Sequence, residues 1–252
     1  MKSKLLILIL LSAMIGFGQS EKLADEQLAH IKQLQSLFKA KNIDGIAALI
    51  AYPLQRTYPI PFIKNEQECK QRFSEVFDQL LISTIANATI KQWSEVGWRG
   101  IMLDNGVLWI DSEEGHIIGV NYQSDFEKKQ EKVLIAQQKE NLYVALKTFD
   151  KPIYKISTKK YLIRIDKLAA GKYRYACWKE GEKESAKPDL ILTNGTMAFL
   201  GSGGNSVISF TKGHYKYRVY RNLIGEDGDA EITLEVEKEG QVIVTQDGSL
   251  IE

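Results

Sequence analysis

The chain is poor in the residues that build disulfide scaffolds and metal centres, with two cysteines (Cys69, Cys177) and three histidines (His30, His116, His214) in 252 residues. Two cysteines in different halves exclude a disulfide framework and a cysteine-rich zinc cluster. They leave room for one bridge, with two buried thiols as the plainer alternative. The histidines are scattered and H-E-x-x-H is missing, which removes the common zinc-hydrolase patterns, so no metal and no cofactor are expected. G-x-S-x-G is missing too, and with it the serine-hydrolase elbow. A large charge of one sign is lacking, since the formal net charge is +1 at pH 7, and a nucleic-acid partner demands a basic footprint. With 5 prolines and 44% hydrophobic residues, the composition is that of a folded chain with a sizeable core.

No apolar run reaches the roughly twenty residues of a membrane-spanning helix. The apolar stretch Leu5 to Ile15 is about half that length, follows Lys2 and Lys4, and ends in Gly16-Phe17-Gly18 before Gln19. A charged head, a short apolar core and small residues at the cut site predict a signal peptide over residues 1–18. The expected location is periplasmic or secreted, with no stable membrane insertion after cleavage. Loss of Lys2 and Lys4 would take the net charge from +1 to −1.

The hydropathy pattern predicts an α+β fold: N-terminal helices packed on an antiparallel sheet, followed by an all-β sandwich or small barrel. Residues 19–123 read as an α+β unit, 124–152 as a helical connector and 153–252 as an antiparallel β unit. Leu28, Ile31, Leu34, Leu37 and Phe38 recur at helical spacing, and Asp44 to Ala51 adds a short helix. Asn65 with Glu68 resembles a capping box opening a helix that buries Cys69, Phe73, Val76, Phe77 and Leu80 and ends near Leu81. A meander follows: Val96 to Leu103, a turn at Asp104-Asn105-Gly106, Val107 to Asp111, a turn, and His116 to Tyr122. Ser124 with Glu127 opens a charged, largely exposed helix. After Pro152 the period becomes two, through Tyr161–Asp166, Tyr173–Trp178, strands flanking an Asn194-Gly195 turn, and four further strands to Thr245.

Helices leading into a meander with Gly97-Trp98-Arg99-Gly100 and Leu108-Trp109-Ile110-Asp111 resemble the cone-shaped fold of nuclear transport factor and polyketide cyclase relatives. That resemblance covers residues 23–122 and implies a pocket between helices and sheet. The loop Gly201-Ser202-Gly203-Gly204-Asn205 resembles one element of the small β-barrel lysozyme inhibitors of bacterial envelopes. It implies a contact loop containing Ser202 and Asn205.

Candidate binding residues follow from side-chain chemistry. Tyr58, Trp98 and Trp109 offer rings for stacking, Arg99 a guanidinium for an anion, and Asp111 a carboxylate; a plain core role competes for each tryptophan. If residues 96–103 form a strand, Trp98 and Arg99 point to opposite faces and only one reaches a pocket. Asp104 and Asp111 flank a hairpin as a candidate carboxylate pair, against solvated strand ends as the plain reading. If the barrel tyrosines face inward, Arg164, Arg174, Lys216 and Arg218 share the outward side as a cationic strip, against ordinary strand patterning. The expected role is recognition of an envelope or extracellular protein or glycan. The alternatives are acid–base catalysis on a small hydrophobic substrate with Asp111 or Tyr58 moving the proton, and inhibition of a lytic enzyme through Ser202 and Asn205.

Overall fold

A computed structural model describes residues 23–201, 203–223 and 229–251; the expected signal peptide and Ser202 lie outside the described residues. Helix α1 (Asp25–Ala40) turns Ile31, Leu34 and Phe38 inward, and its acidic first turn and Lys39 in the last complement the helix dipole. Helix α2 (Ile43–Ala48) is capped by the Asn42 side chain, which accepts from the Gly45 N–H. The single helix expected over 65–81 is two helices, α3 (Glu66–Val76) and α4 (Gln79–Asn87). Phe77 leaves the helical region at φ −96°, ψ 77°, and Asp78 then caps α4 by accepting from the Leu81 N–H at 2.9 Å. Leu80, expected inside, is consequently 65% exposed.

These helices cover one face of a four-stranded antiparallel sheet in the order β1 (Trp93–Glu95), β2 (Ile101–Leu103), β3 (Leu108–Ile110), β4 (Ile117–Val120). Ile101, Leu103, Leu108, Ile110 and Ile117 are wholly removed from water on the helix side, each contributing about 1.5–3 kcal/mol. Met102, Trp109 and Gly119 are register partners on the other face. The expected strand start at Val96 is corrected: β1 ends at Glu95, and the chain turns through 96–100 before β2.

The C-terminal half is a closed barrel. Strands β5 (Lys151–Thr158), β6 (Tyr161–Lys167), β7 (Tyr173–Lys179), β8 (Leu190–Phe199), β9 (Ser206–Lys212), β10 (Tyr215–Arg221), β11 (Ile232–Lys238) and β12 (Gln241–Leu250) pair antiparallel in sequence, and β12 returns to β5. Closure leaves no free sheet edge, which a sandwich would have had to protect. The interior is filled by Ile163, Ile165, Tyr175, Ile208, Phe210 and Val219. The expected Asn194-Gly195 turn is instead an irregularity within β8: Asn194 has φ 61°, and a side chain at Gly195 would strike the Phe210 ring. The cysteines are free and buried in separate cores, Cys69 among the helices and Cys177 in the barrel, so no bridge forms.

Helix α5 (Asp125–Asn141) joins the halves and is largely exposed, as expected, with Glu127 its one buried residue. Glu127 has no exposed surface; Arg56 Nε donates to its Oε1 at 2.6 Å, and Arg56 also donates to the Val120 and Tyr122 carbonyls. Eleven positions on, Gln138 donates to the Tyr58 hydroxyl at 3.0 Å and accepts from Arg164 at 3.0 Å. Arg164 and Arg174 hold Asp166 from both sides at 2.8 and 2.6 Å. Leu142, Leu146 and Phe149 then pack with Ala176 and Trp178 on the outer barrel wall.

Arg56→Ala strands a buried carboxylate, so denaturant unfolding is expected to show a loss of about 3–5 kcal/mol. A loss below about 1 kcal/mol would contradict this role for the Arg56–Glu127 pair.

Candidate functional site

Glycine geometry at two positions shapes the turn between β1 and β2. Gly97 (φ 54°) and Gly100 (φ 94°) are left-handed, and a side chain at Gly100 would strike the Ile110 carbonyl oxygen. The Val96 N–H donates to the Gly100 carbonyl at 2.9 Å and the Gly100 N–H to the Gly97 carbonyl at 3.1 Å. Trp98 is thrust into solvent at the tip, 68% exposed. Because 96–100 is a turn, the opposite-face argument does not hold, and Trp98 and Arg99 line the same depression. It measures about 700 Å³ and also takes in Glu95, Asp111, Glu113 and Ile118.

Asp111 shapes the neighbouring wall. Its Oδ1 accepts from the N–H groups of Glu113 (3.0 Å), Glu114 (2.6 Å) and Gly115 (3.2 Å), and its Oδ2 accepts from His116 at 2.7 Å. Partial burial alone would raise this carboxyl, but the four backbone donors outweigh it and hold the pKa below the usual aspartate value. Tyr58 is pushed up to about 12, chiefly by burial. Both shifts carry these groups away from neutral pH. His116 Nδ1 lies 3.0 Å from Glu114, and His30 Nε2 lies 3.1 Å from the Glu113 carbonyl, tying this turn to α1.

The other sequence candidates disperse. Trp109 is half-buried on the outer sheet face, its ring over Gly106 and Gly119. Asp104 takes a bond from Gln92 at 3.2 Å and stands at the opposite end of β3 from Asp111, so no carboxylate pair forms. Tyr58 belongs to a different cavity, between the segment 53–64 and the barrel. Asn205 Oδ1 accepts from the Leu223 N–H at 2.8 Å, holding the base of its glycine loop. The cationic strip is not formed: Arg164 is buried against Gln138 of α5, Arg174 against the carbonyls of 145–148, both with Asp166, and Arg218 pairs with Glu235 and with Glu237. Among the described residues, no three histidine, cysteine or acidic side chains group to hold a metal.

Sequence reasoning missed the second cavity. Its walls come from Ile60 and Phe62 on one side and Ile153, Tyr154, Leu250 and Ile251 on the other, residues roughly ninety to one hundred and ninety positions apart that no local pattern connects. Comparison with known proteins adds nothing to the site: no protein-family model matches the chain, and no match is found among curated proteins or solved structures. The two sequence resemblances therefore rest on element order and on one loop.

Asp111→Asn replaces an acceptor of four N–H bonds by an amide and is expected to cost about 1–3 kcal/mol at pH 7. The folded-state pKa is depressed, so the wild-type advantage is complete above the unfolded value of about 3.9 and fades as pH falls through the folded value. Urea unfolding of both proteins at pH 7 and near pH 3 checks this; an equal gap at both pH values would contradict it.

Proposed function

We propose that the chain is an exported binding protein that recognises an envelope or extracellular glycan through the Trp98 depression. Export is supported by Lys2, Lys4 and the apolar stretch up to Gly18. One observation carries the binding role: a tryptophan 68% exposed at the tip of a turn, with a guanidinium and several carboxylates around one depression. An exposed indole presents a flat apolar face with a polar N–H at its edge, which suits stacking on a ring.

A sugar ring suits this arrangement. Its C–H face packs on an indole, while its hydroxyls bond to carboxylates and to a guanidinium, which give the shorter, charge-assisted bonds. The carboxylates of Glu95 and Glu113 accept from hydroxyls, and Arg99 donates to a ring or carboxylate oxygen of the glycan. Ile118, 44% exposed, extends the apolar floor. A protein ligand would demand a larger contact than this depression supplies.

The purified chain is expected to bind a subset of envelope polysaccharides on a glycan array. Trp98→Ala should weaken that binding at least tenfold in calorimetric titration without moving the thermal transition, because the side chain supports no core. Unchanged affinity in Trp98→Ala, or no glycan bound at all, would overturn the proposal.

A further inference from the structure

We propose that the depression on the outer barrel wall where β8 parts from β9 is a second site, which binds a sugar carrying a sulfate or phosphate ester. It is independent of the Trp98 reading. Strands β8 and β9 pair only from Thr196–Ser209 to Phe199–Ser206. Short of that ladder, Leu190 to Leu192 stay with β7, and Phe210 to Lys212 stay with β10. The strands part at the irregularity in β8, where Asn194 is left-handed at φ 61° and Gly195 leaves room for the Phe210 ring. The space between them measures about 610 Å³, within the range of about 300–1,000 Å³ typical of ligand sites.

The lining selects an oxyanion. Ile208 and Phe210 face the barrel interior, so the alternate Ser209 and Thr211 face outward, and the register sets Thr196 beside Ser209 and Lys216 beside Thr211. Lys212 and Lys216 both line the depression, and no carboxylate does. Both lysines are exposed, and among the described residues neither has an ion-pair or hydrogen-bond partner. The acids nearest in register are engaged elsewhere: Glu237, opposite Lys216 on β11, is bound by Arg218 at 2.6 Å, and Glu235 pairs with the same guanidinium. An oxyanion between the two lysines gains charge-assisted bonds that a neutral or cationic ligand does not, and the Thr211 hydroxyl is a further donor. Lysine takes a sulfate or phosphate as a point charge, without the planar fork by which arginine matches a carboxylate. The space is far larger than one bare ion. Its remaining polar wall, Thr193, Asn194, Thr196 and Ser209, is neutral and can both donate and accept, which is what the hydroxyls of a sugar ring require.

Calorimetric titration of the purified chain at low ionic strength with glucose 6-sulfate and glucose 6-phosphate tests the site, with glucose and sodium sulfate as controls. Both esters are expected to bind one to one, at least tenfold more tightly than glucose and more tightly than sodium sulfate. Lys212→Gln combined with Lys216→Gln should weaken ester binding at least tenfold, and so should Thr211→Glu, which sets a carboxylate beside the lysines. Lys159→Gln combined with Lys160→Gln removes the same charge at the exposed turn between β5 and β6 and should leave ester binding unchanged. Thermal melting identifies a site variant that fails to fold, and the other then decides. Trp98→Ala should bind the esters like the wild type. No ester bound, equal affinity for glucose or for sodium sulfate, wild-type affinity in a folded site variant, an equal loss in the Lys159 and Lys160 variant, or association only with phosphatidylglycerol vesicles would each overturn the proposal.

Discussion

Asp166 has no exposed surface and stands between two guanidiniums, and a carboxylate so placed is tolerated only because both of its oxygens are taken. Burial pushes its pKa up and Arg164 and Arg174 pull against that shift. The arginines need partners in turn: Arg174 donates to the Leu146 carbonyl, and Arg164 donates to Gln138 on α5. Gln138 passes the chain of bonds to Tyr58, in the segment that leaves the helical half. With Arg56 gripping Glu127 at the other end of the helix, α5 is tied to both halves along its length. Removing any one partner leaves a buried charge or dipole uncompensated, so the network specifies one arrangement more than it adds net stability.

The Trp98 depression and the cavity beside Tyr58 depend on that arrangement to different degrees. The Trp98 depression is built wholly within the helix-and-meander half, by the Gly97–Gly100 turn and the Asp111-centred turn. It would survive a change in how the halves meet. The cavity has walls from both halves, and its Tyr58 wall is itself a member of the α5 network. Its width is therefore set by the same bonds that join the halves. The barrel interior, filled by Tyr175, Phe210 and Ile208, offers structure where a hollow barrel would offer a site.

Local signals were legible in the sequence where one interaction dominates. The Asn65 and Ser124 caps form, with Glu68 and Glu127 N–H groups at 2.9 and 3.1 Å, and the period-two runs after Pro152 become strands. The Asn194-Gly195 pair misled because the same left-handed tolerance serves a hairpin turn and an irregularity within a strand, and the choice lies with Phe210, fifteen residues away. The charged stretch 126–140 is the largely exposed helix that its composition suggests, but the burial of Glu127 has no local signal, since only the fold sets Arg56 against it. Trp98, Arg99 and Asp111 stand out in the sequence for their side chains, yet their meeting in one depression depends on a turn where the sequence suggests a strand. The cavity beside Tyr58 had no local signal at all.

The account stands on α5 holding the halves as one body. Spin labels attached through Lys39→Cys on α1 and Lys216→Cys on β10, both exposed positions, allow the distance between halves to be measured by pulsed electron resonance while Cys69 and Cys177 stay buried. The account predicts one narrow distance distribution in the otherwise native chain, broadening when Arg56→Ala and Gln138→Ala are added together. A broad or multiple distribution in the native chain, or one that the double substitution leaves unchanged, would contradict it.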